Sequence, residues 1–141
     1  MRFLRIVVCF SLIGLTFGCE AKPGATSKVS PAESFHAAFT QAVSATQKIR
    51  DALADGKPDA AHDELHDIGH LLQELPTLAK AAAIDKATSE TVEKTAKGLF
   101  DVIDKVDAAL HDGKEIKYDD VKEGLESGLA ELKKLSESLK K

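Results

Sequence analysis

Three histidines recur one helical turn apart in the stretch HDELHDIGHLL, residues 62–72: His62, His66 and His70. An aspartate stands three residues before each of them, at Asp59, Asp63 and Asp67. Imidazole nitrogen suits Zn²⁺, Cu²⁺ and related ions, and two histidines at i, i+4 can chelate one of them. At about 1.5 Å of rise per residue, His62 and His70 are about 12 Å apart along a helix, so one ion cannot use all three. The alternative pairs are His62 with His66 and His66 with His70. Asp59, Asp63 or Asp67 would then supply an oxygen ligand or orient an imidazole. The same residues also read as the solvated face of an ordinary helix, where Asp63–His66 and Asp67–His70 are i, i+3 pairs that support it modestly.

Two further histidines, His36 and His111, fall at the border of the apolar face on their own predicted helices, as His62 does. In an antiparallel arrangement the end of the third helix lies beside the start of the second, so His111 can come level with His62. His36 lies at the far end of the first helix and reads as a packed or solvated border residue.

Four helices must position these groups. The chain is 43% hydrophobic and 30% charged, rich in Ala, Leu, Lys and Glu, which are strong helix formers. The first helix opens at SPAE, with Ser30 as N-cap, Pro31 in the first helical position and Glu33 completing a capping box. Its apolar stripe is Phe35, Phe39, Ala42, Thr46, Ile49 and Leu53, and Gly56 ends it. Pro58 opens the second helix, with Ala61, Leu65, Ile68, Leu72 and Leu75 on one face. Pro76 is expected to kink or end it, leaving TLAKAAAI as a separate short piece.

The third helix spans about Lys86 to His111, with Val92, Ala96, Leu99, Ile103, Val106 and Leu110 as its stripe. The fourth starts near Asp119 or Asp120 and carries Val121, Leu125, Gly128, Leu132, Leu135 and Leu139. Gly124 and Gly128 would let it approach a neighbour closely, and Gly69 would admit a helix or a ligand beside the histidines. No amphipathic helix buries its stripe alone, so the expected fold is all-α, an antiparallel up-down-up-down four-helix bundle over residues 30–141.

Size, export and four amphipathic helices make the chain similar in architecture to cytochrome b562 and cytochrome c′. Their haem chemistry does not transfer. There is no C-x-x-C-H, and Met1 is the only methionine. A ferritin-like di-iron site fits no better, because it needs inward acids from all four helices and two Glu-x-x-His motifs. Glu33–His36 is one formal match and Asp63–His66 only an aspartate analogue, and the last two helices place no acid at the centre of their stripes.

The first segment, MRFLRIVVCFSLIGLTFGC, has two arginines followed by an apolar run from Ile6 to Phe17. That run is short for a bilayer span and has the form of a secretory signal peptide over residues 1–18. Its end resembles a bacterial lipobox, in which Gly or Ala precedes a cysteine that is acylated and becomes the mature N-terminus. Gly18 and Cys19 match that pattern. Thr16 stands where leucine is usual and Phe17 where a small residue is usual. The resemblance implies a lipid on Cys19 and a short tether over residues 19–29. Glu20 after the cysteine is not the aspartate of inner-membrane retention in enteric lipoproteins, which points to the outer membrane. Cleavage after Ala21 instead would release a soluble secreted domain.

These features bound the function. Cys9 lies in the leader and Cys19 is acylated or removed, so the folded part has no thiol for a disulfide, a thiolate metal site or a nucleophile. The formal charge of −4, with no Trp and 5% aromatics, offers neither the basic face nor the stacking platforms of a nucleic-acid binder. No Gly-x-Ser-x-Gly, P-loop or His-Glu-x-x-His motif is present, so an enzyme is not expected. The expected role is a structural or protein-interaction lipoprotein of the cell envelope, held on the periplasmic face of a membrane, with another envelope protein as partner. The competing role is periplasmic binding of Cu or Zn on the His62/His66/His70 face, with Asp63, Asp67 and His111 as further ligands.

Overall fold

The computed structural model describes residues 29–139. The leader, Cys19 and the tether as far as residue 28 lie outside the described residues, so export and lipidation stay as sequence expectations. The described residues form four α-helices: α1 (Pro31–Ala54), α2 (His62–Ala81), α3 (Lys86–His111) and α4 (Lys122–Ser138). Short 3-10 turns, Pro58–Ala61 and Tyr118–Asp120, lead into α2 and α4. No strand occurs among the described residues, and none of their helices is long and apolar enough to cross a membrane.

Helix α1 begins as its sequence dictates. The Ser30 amide donates to Glu33 Oε2 at 2.8 Å and the Glu33 amide donates to Ser30 Oγ at 3.2 Å. These bonds hold the Glu33 carboxyl below its ordinary range, the Ser30 backbone amide contributing most. The end is equally specified. Gly56 takes a φ of +68°, its amide reaches the Leu53 carbonyl, and the Lys57 amide reaches that of Ala52, which is a Schellman cap. Gly113 closes α3 in the same way, with φ +64° and bonds from Gly113 to Leu110 and from Lys114 to Ala109. These two caps set where α1 stops before the α2 lead-in and where α3 stops beside the histidines.

The second helix differs from expectation at both ends. Pro58 opens a 3-10 turn, and the α-helix starts only at His62. Pro76 neither ends nor divides α2, which runs through it to Ala81. A proline inside a helix removes one amide donor and crowds the carbonyl four residues back. Here Leu72, Leu75 and Ala79, on either side of it, are all buried at 2% exposure or less, and packing outweighs the local preference.

Neighbouring helices pack in the cycle α1–α2–α3–α4–α1 around one core. Phe35, Ile49, Leu65, Ile68, Leu72, Leu75, Leu99, Ile103, Leu125 and Leu132 are its largest fully buried members. Leu129, absent from the expected stripe of α4, is buried too, whereas Leu110 and Leu139 are half-buried. The close approach of α4 is real. A Cβ on Gly124 would stand 2.5 Å from Val102 Cγ2, and one on Gly128 would run into the Leu99 side chain. A polar tie joins the turn before α4 to α1: Tyr118 donates to Glu126 Oε1 at 2.6 Å, and Arg50 Nη1 lies 3.5 Å from the same oxygen. The Tyr118 bond, with the Arg50 charge behind it, keeps the Glu126 carboxyl below its ordinary range.

Candidate metal centre

The first turns of α2 present His62 and His66 on one flank, facing α3. Helix α3 ends at His111, with Asp107 one turn earlier on the same flank. The register of the two helices places His62 against His111 and His66 against Asp107. One donor atom from each of His62, His66, Asp107 and His111 can be chosen so that all four lie within 4.8 Å of one another.

The contacts inside the cluster are short. His62 Nε2 and His66 Nε2 are 2.9 Å apart, a hydrogen bond whose direction follows the tautomers. Their rings stack, with centroids 4.9 Å apart and planes 25° from parallel. The His111 ring meets both edge-on, at centroid distances of 5.2 Å and 5.4 Å. Asp107 Oδ1 is 3.8 Å from His66 Nε2, and Asp107 Oδ2 is 3.7 Å from His111 Nε2. Both exceed hydrogen-bond length. Asp107 Oδ1 is nevertheless buried and has no hydrogen-bond partner. A buried polar atom left without a partner costs about 1–3 kcal/mol, so its presence here calls for a reason.

The donor set fits a small divalent transition ion. Zinc bonds to imidazole nitrogen and carboxylate oxygen are about 2.0–2.2 Å, which puts tetrahedral ligand atoms about 3.3 Å apart. His62 Nε2 and His66 Nε2 at 2.9 Å, and the two Asp107 oxygens at 3.8 Å from His66 and 3.7 Å from His111, lie near that spacing, within a set of four donors that all fall within 4.8 Å of one another. Three imidazoles and one carboxylate also match the ligand softness of Zn²⁺ and Cu²⁺. Asp107 would neutralise part of an ion's charge, and the exposed His66 and His111 would leave such an ion open to solvent.

The sequence-predicted ligands divide accordingly. His62, His66 and His111 come together; His70, Asp63 and Asp67 stay outside the cluster. Asp63 and Asp67 each follow a cluster histidine by one residue, which turns them about 100° around α2. They line a cavity towards α1 with Lys48 and Glu64 instead. Lys48 Nζ is bonded to Glu64 Oε1 at 3.1 Å there and draws the Glu64 carboxyl below its ordinary range. His70 stands one turn beyond the cluster in the same α2/α3 groove. Asp59 is exposed on the lead-in turn, and His36 is exposed beside Phe35 on α1.

Asp107 is the cluster residue that local sequence reading misses. Its signal was present: once His111 is level with His62, the residue one turn before His111 must face His66. No protein family, curated protein or solved structure matches this chain, so the functional argument rests on the geometry.

Proposed function

We propose that the protein binds a divalent transition ion, Zn²⁺ or Cu²⁺, through His62, His66, Asp107 and His111. The observation that carries this reading is the convergence of three imidazoles and the Asp107 carboxylate, one donor atom from each lying within 4.8 Å of the others. A metal ion would use that convergence, and a purely structural or protein-interaction role does not require it, so metal binding is preferred here. The half-exposed position favours a buffer, carrier or sensor over a closed structural site. The same proposal takes the four helices as an antiparallel up-down-up-down bundle, supported by the contacts of early α2 with late α3. It places that bundle on the periplasmic face of a membrane by a lipid on Cys19, supported by the lipobox-like sequence.

The test is calorimetric titration of the full chain, purified without a histidine tag, with Zn²⁺ and with Cu²⁺. Saturable binding that His66→Ala abolishes supports the reading. No saturable binding, or equal binding by the variant, overturns it. The anchor is tested separately by mass spectrometry of the processed protein: a lipid-modified N-terminal Cys19 is expected, and an unmodified chain starting at Lys22 overturns it.

A further inference from the structure

The α2/α3 groove continues past the four-donor cluster. His70 stands one turn further along α2, and Asp104 about one turn earlier along α3. Both are exposed, and both line a cavity of about 140 Å³ that His66 and Asp107 also line. Gly69 also lines that space, and a Cβ there would come only into ordinary contact with the Phe100 ring, 3.9 Å away. His62 meets His111 and His66 meets Asp107 on two successive levels, and on the next level His70 and Asp104 line one cavity. Only the first two levels converge closely enough to form one site without water.

We infer that the third level is a second, weaker position for a divalent transition ion, held by His70 and Asp104 across the cavity. This inference rests on the metal-binding reading of the neighbouring cluster. Liquid water occupies about 30 Å³ per molecule, so the cavity has room for an ion that keeps part of its water shell. Two protein donors plus waters hold an ion less tightly than four protein donors do. The imidazole of His70 and the carboxylate of Asp104 are both exposed, so each can turn towards an ion in the cavity. His66 and Asp107 border both positions, which makes the second one continuous with the first.

The experiment is Zn²⁺ titration of the full, untagged chain in detergent micelles, comparing wild type with four variants. Two equivalents are expected for wild type, a tight one and a weaker one. His70→Ala and Asp104→Asn should each weaken the second by about tenfold or more and leave the first within about twofold. Gly69→Leu, which fills the cavity while keeping both donors, should also remove the second. A single equivalent in wild type overturns the inference, as does a second equivalent that survives both His70→Ala and Asp104→Asn. His62→Ala reports on the other site: a first equivalent insensitive to it sinks the four-donor reading, whatever the second equivalent does.

Discussion

Helix α3 has a neighbour on each flank, and the two seams are built in opposite ways. Towards α4, glycines at 124 and 128 remove side chains where Val102 and Leu99 press in, so the helices close on one another. Towards α2, the flank carries long polar side chains, His66 and His111 stay exposed, and the carboxylate oxygen of Asp107 is left buried without a partner. The first seam closes tightly at two glycines. The second packs along more of its length, yet at its open flank it gathers side chains that could hold a metal ion and leaves one of their oxygens unsatisfied. If this division is right, changes on the α4 side alter stability and leave metal binding alone, and changes on the α2 side do the reverse.

The largest effect is expected from Leu99→Ala. Leu99 is 1% exposed and sits against Gly128. Truncation should cost about 2–5 kcal/mol in denaturant unfolding, through lost burial and the cavity left behind. Zn²⁺ affinity of the folded variant should stay within about threefold of wild type, because packed cores relax only partly around such a cavity. A large loss of affinity would show that the two seams are one cooperative unit.

On the other flank, His66→Ala should lower Zn²⁺ affinity by about 100-fold or more, since even the outer partners of metal ligands are worth 10–100-fold. That is about 2.7 kcal/mol of binding free energy or more. Wild-type affinity should also fall as the solution is made acidic, because protons and the ion compete for the same imidazole lone pairs. Calorimetry at several pH values reads both effects. An affinity that rises on acidification would break the imidazole assignment.

Gly128→Ala comes next. The added methyl has no room beside a buried leucine, and overpacking costs about 1–3 kcal/mol. Better helix propensity returns about 1 kcal/mol, which leaves a smaller net loss. Placed on Leu99→Ala, the same change should turn stabilising, because the space is then free. A double-mutant cycle with no coupling would mean that the two residues do not share this contact.

The difference between the seams also explains what could be read from sequence. Gly124 and Gly128, inside a strongly periodic helix, announce a close approach and provide one, whereas Gly98 in α3 meets nothing within 4 Å. Ser30 and Glu33 announce the start of α1, and Gly56 its end, because caps are local chemistry. Pro76 misleads as a helix end for the opposite reason: its preference is local, while the burial of Leu75 and Ala79 that carries α2 through it is tertiary. The groove lies between these cases. His62 and His66 are visible as a spaced pair, and His111 is reachable by counting turns in an antiparallel arrangement. Asp107 needs the register of α2 on α3, which is set by core side chains such as Leu65 and Ile103. Aspartates nearer in sequence, Asp63 and Asp67, compete for attention and turn out to face α1.

The smallest expected effect is the most discriminating. In metal-free protein, Asp107→Asn should leave unfolding stability unchanged or raise it by up to about 1 kcal/mol, since it takes away a partly buried charge whose Oδ1 has no hydrogen-bond partner. The substitution keeps the side chain's shape. It removes a charge whose nearest basic atoms, on His66 and His111, lie beyond hydrogen-bond length. The Oδ1 atom has no bond to lose. With saturating Zn²⁺ the comparison changes. A ligand that binds only the folded state at 100 times its dissociation constant adds about 2.7 kcal/mol to stability, and the variant should forfeit much of that. Paired thermal or denaturant melts with chelator and with Zn²⁺ read the two numbers directly. A loss of more than about 1 kcal/mol in the chelated protein would make Asp107 a structural partner of the histidines, and the α2/α3 groove would then be a packing seam like the other.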